Sequence, residues 1–80
     1  MKEHEEFYIT GEDEFYALVI FRRWISKTKA EVMSSTYGWS FIVDFKVKEI
    51  RNAYANTVYR FNGTESWVAR MLCGREDAIA

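Results

Sequence analysis

The segment from Phe15 to Ile25, FYALVIFRRWI, constrains the fold more than any other stretch of the chain. Read with a period of two, Phe15, Ala17, Val19 and Phe21 share one side, and Tyr16, Leu18, Ile20 and Trp24 share the other. Both sides are apolar. A strand of this kind belongs inside a sheet, with something covering each face. A helix is the competing reading, because the unbroken apolar run Phe15–Phe21 is too short for its period to decide. Its content of Phe, Tyr, Val, Ile and Trp favours a strand. The run is also far short of the ~20 residues that a membrane-spanning helix needs.

The neighbouring segments fit a sheet. Glu6 to Thr10 reads as a short strand ended by Gly11, and Gly-Glu-Asp-Glu as a turn, since glycine supplies a positive φ and the acids prefer water. Residues 26–29 form a basic loop, 30–36 a weak strand, and Tyr37-Gly38 a break. Trp39 to Val47 alternates cleanly. Trp39, Phe41, Val43, Phe45 and Val47 take one face, with Ser40, Asp44, Lys46 and Lys48 opposite and Ile42 the exception among them. That pattern predicts one buried and one wet face. Asp44 then belongs to the wet face as a solvated or ion-paired carboxylate.

The last third divides two folds. Ile50, Ala53, Tyr54, Val58 and Phe61 recur at helical spacing, with polar residues opposite, and predict a helix over 48–61 ended by Asn62-Gly63. A second short helix would follow a Thr64 cap, bury Trp67, Val68, Met71 and Leu72, and stop at Gly74. Asn-Gly between apolar segments is equally a hairpin signal, which would pair Arg60 with Glu65 and Val58 with Trp67. The helical faces separate apolar from polar better, so the expected fold is α+β. It has an antiparallel sheet of three to four strands packed on one or two C-terminal helices. The alternative is an all-β five-stranded small barrel. Residues 1–80 are read as a single domain, with a frayed acidic N-terminus over 1–5.

Composition narrows the chemistry. The lone Cys73 excludes an intramolecular disulfide, and one Cys with one His cannot build a zinc finger. Cys73 lies in an apolar run and reads as a structural thiol. No phosphate-cradling glycine loop, metalloprotease motif or nucleophile elbow occurs, and a serine triad would have to use His4 in the acidic N-terminus. The expectation is a protein without cofactor, metal or catalytic residues, and not an enzyme. The start Met-Lys-Glu-His-Glu-Glu has no apolar stretch behind it, so no signal peptide is expected and the cytoplasm is the simplest compartment.

Two surfaces compete as the contact. The net charge of −1 hides blocks: residues 1–14 carry −5, 15–60 carry +5, and 61–80 carry −1. The basic and aromatic candidates are Arg22, Arg23, Trp24, Lys27, Lys29, Tyr37, Trp39, Lys46 and Lys48. Arginine and lysine can hold phosphates, and tryptophan can stack on bases. The plainer reading is a solubilising face. The acidic candidates are Glu3, Glu5, Glu6, Glu12, Asp13 and Glu14, which would face a basic partner or simply stay solvated. Aromatic residues make up 18% of the chain, which suits an interface or a homodimer contact through Tyr37, Trp39, Tyr54, Tyr59 or Trp67. Large side chains filling a small core would explain it equally well.

In length and composition alone, with no motif carrying the likeness, the chain is similar to the small inhibitor proteins of phages and mobile elements, the anti-CRISPR proteins among them. The aromatic excess, the segregated charge and the missing cofactor and metal motifs lead to the expectation of a protein-binding inhibitor or adaptor, whose partner is another protein or a nucleoprotein complex. A nucleic-acid-binding module is the alternative, and no membrane partner is expected. An 80-residue core is also expected to leave no cleft of ~300 Å³ for a small ligand.

Overall fold

The computed structural model describes residues 2–73 and 75. Six strands run as an antiparallel meander in sequence order: β1 (Glu6–Thr10), β2 (Tyr16–Trp24), β3 (Lys29–Ser34), β4 (Ser40–Asp44), β5 (Glu49–Asn52) and β6 (Val58–Arg60). The sheet curls into a half-barrel, and one short helix, α1 (Ser66–Leu72), lies against β1. The sheet thus has six strands rather than three or four, and the described residues are mostly β rather than evenly α+β, with one helix where one or two were expected. The five-stranded barrel errs as well, in strand count and in closure.

The concave side holds the core. Phe7 and Ile9 of β1, Val19 and Phe21 of β2, Ala30 and Val32 of β3, Phe41 and Val43 of β4, and Ile50 of β5 are buried there at alternate positions. Trp67, Val68 and Met71 of α1 fill the open side. Arg70 pins the helix to β1, pairing with Glu5 while its guanidinium lies 5.9 Å from the Phe7 ring centre. The Trp67 indole donates to the Thr10 carbonyl at 2.9 Å. The predicted C-terminal helix is therefore present with the predicted buried face. Its N-cap is Glu65 rather than Thr64, and the proposed stop at Gly74 lies outside the described residues.

β2 needs no cover on its second face. Leu18 and Ile20 are half-buried there by neighbours on the same convex surface, Ile20 lying opposite Met33. A β-bulge at Arg22 breaks the period of two: Phe21 pairs with Val32, and Arg23 with Glu31. The extra residue returns Trp24 to the core side, where it packs against Phe21 and Phe45. Strict alternation had placed Trp24 opposite Phe21.

The helix predicted over 48–61 is instead β5, a loop and β6. The reason is local turn chemistry. Three hairpins share one device, in which the strand ends on a short polar residue whose side chain accepts backbone N–H groups of the loop. The Ser34 hydroxyl accepts from Tyr37 at 3.1 Å, Asp44 from Lys46 at 2.9 Å, and Asn52 from Tyr54 at 2.9 Å and Ala55 at 3.0 Å. The fourth loop residue then turns left-handed: Gly38 (φ 72°), Lys48 (59°) and Asn56 (58°). Asn52, buried to 2% exposure, thus directs the chain back on itself in the middle of the presumed helix. Asn62-Gly63 makes neither hairpin nor helix end. Arg60 pairs with Glu49 and Val58 with Arg51, and the Glu65 carboxylate accepts from the backbone of Asn62 and Gly63. β4 likewise stops at Asp44, leaving Trp39 and Val47 exposed outside the strand.

Candidate functional site: an aromatic cleft

The β1–β2 turn reaches across to β6. Gly11 passes so close to Arg60 that a side-chain carbon there would lie 2.5 Å from the Arg60 carbonyl oxygen, and that oxygen accepts from Glu12 N–H at 2.7 Å. After Gly11 the chain reverses through Asp13 and Glu14, both left-handed (φ 57° and 60°), with Phe15 N–H donating to the Glu12 carbonyl. Two positive φ values in a row define the tight hairpin turn for which Asn-Gly is the favoured pair. Here both positions are acids.

The turn delivers two aromatic side chains to opposite sides of β2. Phe15 stacks on Tyr59 of β6, centroids 4.1 Å apart, and meets Phe41 edge-on. Tyr16 stacks on Tyr8 of β1 at 4.9 Å. Partial desolvation and a hydrogen bond to Tyr8 hold the Tyr16 phenol above its ordinary pKa. From the other flank comes the β3–β4 loop. Ser34 and the left-handed Gly38 shape it, and Ser35 N–H ties it to the Leu18 carbonyl at 3.0 Å. It presents Tyr37 and Trp39 as a third stacked pair, 4.7 Å apart.

These elements enclose an open cleft of about 650 Å³. The expectation of no cleft above ~300 Å³ is therefore corrected: curling the sheet leaves its rim open where the hairpin loops diverge. Seven aromatic residues line it, and Tyr8, Tyr16, Tyr37 and Trp39 remain between 44% and 68% exposed. Asp13 and Glu14 are the charged residues of the lining, and no base joins them. The lining thus combines aromatic stacks, two carboxylates and the side chains of Ser34 and Thr36.

The structure redistributes the predicted site residues. Tyr37 and Trp39 join Asp13 and Glu14 at the cleft, with Glu12 on the same turn. Glu3, Glu5 and Glu6 lie at the other end of β1, of which Glu6 is the first residue. There Glu3 meets His4 and Glu5 meets Arg70, while Glu6 is exposed. Glu5 is partly desolvated, yet hydrogen bonds from the Lys2 backbone and from Arg70 hold its carboxyl below the usual range. His4 N–H also donates to the Phe21 carbonyl, so the described part of the predicted frayed terminus is tied to β2.

The basic residues gather at the opposite end. Phe45 N–H donates to the Thr28 carbonyl and joins the β2–β3 loop, which carries Lys27, to the β4–β5 turn, which carries Lys46 and Lys48. Arg23 is paired with Glu31 at 3.1 Å and Lys29 with Asp44 at 3.9 Å, while exposed Arg22 sits at the bulge. Trp24 is half-buried, and the Arg75 guanidinium lies 3.8 Å above its ring. The basic residues and the Tyr37–Trp39 pair therefore do not form one face. Of the other aromatic candidates, Tyr54 is exposed, Tyr59 lines the cleft and Trp67 is core. Cys73, read as a structural thiol, is exposed just after α1.

Sequence reasoning missed Tyr8, Phe15, Tyr16 and Phe41 as site residues. The signal for one pair was present: a hairpin turning at Gly11–Glu14 puts Tyr8 and Tyr16 diagonally on one face. The rest needed the curl of the sheet. Among the described residues, no group of three or more His, Cys, Asp or Glu side chains could hold a metal, and no helix is long and apolar enough to cross a membrane. No protein-family model, curated protein or solved structure matches this chain.

Proposed function

We propose that the protein is a non-catalytic binding module, an inhibitor or adaptor that engages another protein through the aromatic cleft. The observation that carries this reading is the set of exposed aromatics already held in stacked pairs around a preformed concavity. Tyrosine and tryptophan supply large contact area at low entropic cost, and pairs locked before binding lose little more on complex formation. The loop that carries Tyr37 and Trp39 is hydrogen-bonded at Ser34 and Ser35, which supports a rigid surface.

The test is affinity capture with three proteins: wild type, Tyr37→Ser/Trp39→Ala, and Arg22→Glu/Lys27→Glu. All four substituted residues are exposed, so circular dichroism should match across the set. The reading expects one macromolecule to be retained by wild type and by the Arg22/Lys27 variant, and lost by the cleft variant. Retention by the cleft variant with loss by the Arg22/Lys27 variant would move the contact to the basic end, where nucleic acid is the fitting partner. Such binding would weaken steeply with salt.

A further inference from the structure

We propose that the occupant of the cleft is a basic peptide segment of the partner, with an arginine or lysine side chain seated among the aromatic rings beside Asp13 and Glu14. This deepens the protein-binding reading above and rests on it.

Three observations select the charge and class of the occupant. The charged lining is of one sign, Asp13 and Glu14, while Lys27, Lys46 and Lys48 stand in the loops at the other end of the meander; Arg60 meets the acidic turn through its backbone carbonyl and is not part of the lining. A phosphate-bearing ligand would meet repulsion here, and a cation attraction. The rings are of the type that favours a cation: tyrosine and tryptophan faces carry negative quadrupole potential, and Tyr37, Trp39, Tyr8 and Tyr16 are exposed around the opening. Finally, a cleft of about 650 Å³ open to solvent has room for a stretch of chain rather than a single small ion. The exposed Thr36 lies in the same lining and offers a hydroxyl to a guanidinium or to peptide groups.

Two charges at the rim also suit a partner that arrives by electrostatic steering. The acidic turn Glu12–Glu14 would draw a basic segment toward the aromatic end. The attraction is exposed and must fall as salt rises.

The probe is a blocked hexapeptide of alternating arginine and glycine, with a control in which citrulline replaces arginine and removes the charge at nearly constant shape. The readout is the indole N–H resonance of each tryptophan during titration. Trp39 lines the cleft, Trp24 lies under Arg75, and Trp67 is buried, so the three report three places. The expected result is a saturable shift of Trp39 alone, with affinity at least about tenfold weaker for the citrulline peptide. The double variant Asp13→Asn/Glu14→Gly should weaken arginine-peptide binding by a similar factor. It installs the residue pair that this turn prefers, so lost binding cannot be ascribed to lost folding.

A Trp39 shift that is equal for both peptides, or unchanged in Asp13→Asn/Glu14→Gly, would overturn the proposal. So would a short single-stranded oligonucleotide that shifts Trp39 while the arginine peptide does not. Failure here is distinguishable from failure of the broader reading. If Tyr37→Ser/Trp39→Ala still releases the captured protein while the arginine peptide leaves Trp39 unmoved, the cleft remains the contact and only its cationic ligand class is rejected.

Discussion

Gly11→Ala tests how the half-barrel is held shut. A β-carbon built at Gly11 lies 2.5 Å from the Arg60 carbonyl oxygen, about an ångström inside ordinary contact, and the obstacle is backbone rather than a flexible side chain. The β1–β2 turn must therefore retreat from β6. Two interactions go with it: the 2.7 Å hydrogen bond from Glu12 N–H to Arg60, and the 4.1 Å stack of Phe15 on Tyr59. The hydrogen bond is worth ~1 kcal/mol, and the aromatic pair about another 1 kcal/mol. A loss of about 2 kcal/mol lowers the melting temperature of a domain this size by roughly 8–16 °C. Urea unfolding followed by far-UV circular dichroism measures the loss, and amide exchange of Glu12 reports the seam itself. Gly38→Ala is the control. Gly38 has φ 72° with nothing within 4 Å of its added carbon, so that variant carries only the left-handed penalty of ~1–2 kcal/mol and leaves Glu12 protected. Wild-type stability in Gly11→Ala, or unchanged Glu12 exchange, would refute the account of closure.

Other outcomes follow from single contacts. Asn52→Ala removes a buried acceptor of two loop N–H groups and should cost about 1–3 kcal/mol in denaturant unfolding, whereas Asn52→Asp keeps an acceptor and should cost less. Trp67→Phe loses the hydrogen bond to Thr10 and part of a core ring, for about 1–3 kcal/mol in the same assay. Asp13→Asn/Glu14→Gly should gain roughly 1 kcal/mol by relieving two left-handed acids, even as it weakens arginine-peptide binding. Glu65 is partly desolvated, but backbone N–H groups from Asn62 to Glu65 hold its pKa below the ordinary glutamate value. A lowered folded-state pKa gives stability that is fully present above the unfolded value of about 4.3 and is lost as pH falls through the lower folded one. Thermal melts should therefore drop on acidification below about pH 4, and Glu65→Gln should flatten that dependence.

What the sequence determined by itself is what local chemistry decides. The short strand Glu6–Thr10, the alternation of Phe41 and Val43 within the longer run read as Trp39–Val47, the β-rich run before Trp24, the Gly11–Glu14 turn and the buried face of α1 can each be read within one element, because side-chain period and turn residues act over a few positions. The same chemistry was legible, though weaker, in Ser34, Asp44 and Asn52. There a helical spacing of apolar residues over 48–61 outweighed one asparagine, yet two backbone hydrogen bonds to a buried carboxamide outweigh intrinsic helix preference. The bulge at Arg22 left no mark in the pattern, since its effect is to move Trp24 from one apolar face to the other. The cleft belongs wholly to tertiary structure. Phe15 and Tyr59 stand far apart in the chain and meet only because the sheet curls until Gly11 touches β6. Curvature sums small twists and one bulge over six strands, and no segment carries it alone. It also separated residues that composition had grouped. Charge blocks along the chain suggested one acidic and one basic surface. The meander divided the acids between the two ends of β1 and set the aromatic pair Tyr37–Trp39 beside Asp13 and Glu14, away from the lysines, because successive hairpin loops of an antiparallel sheet emerge at alternate ends.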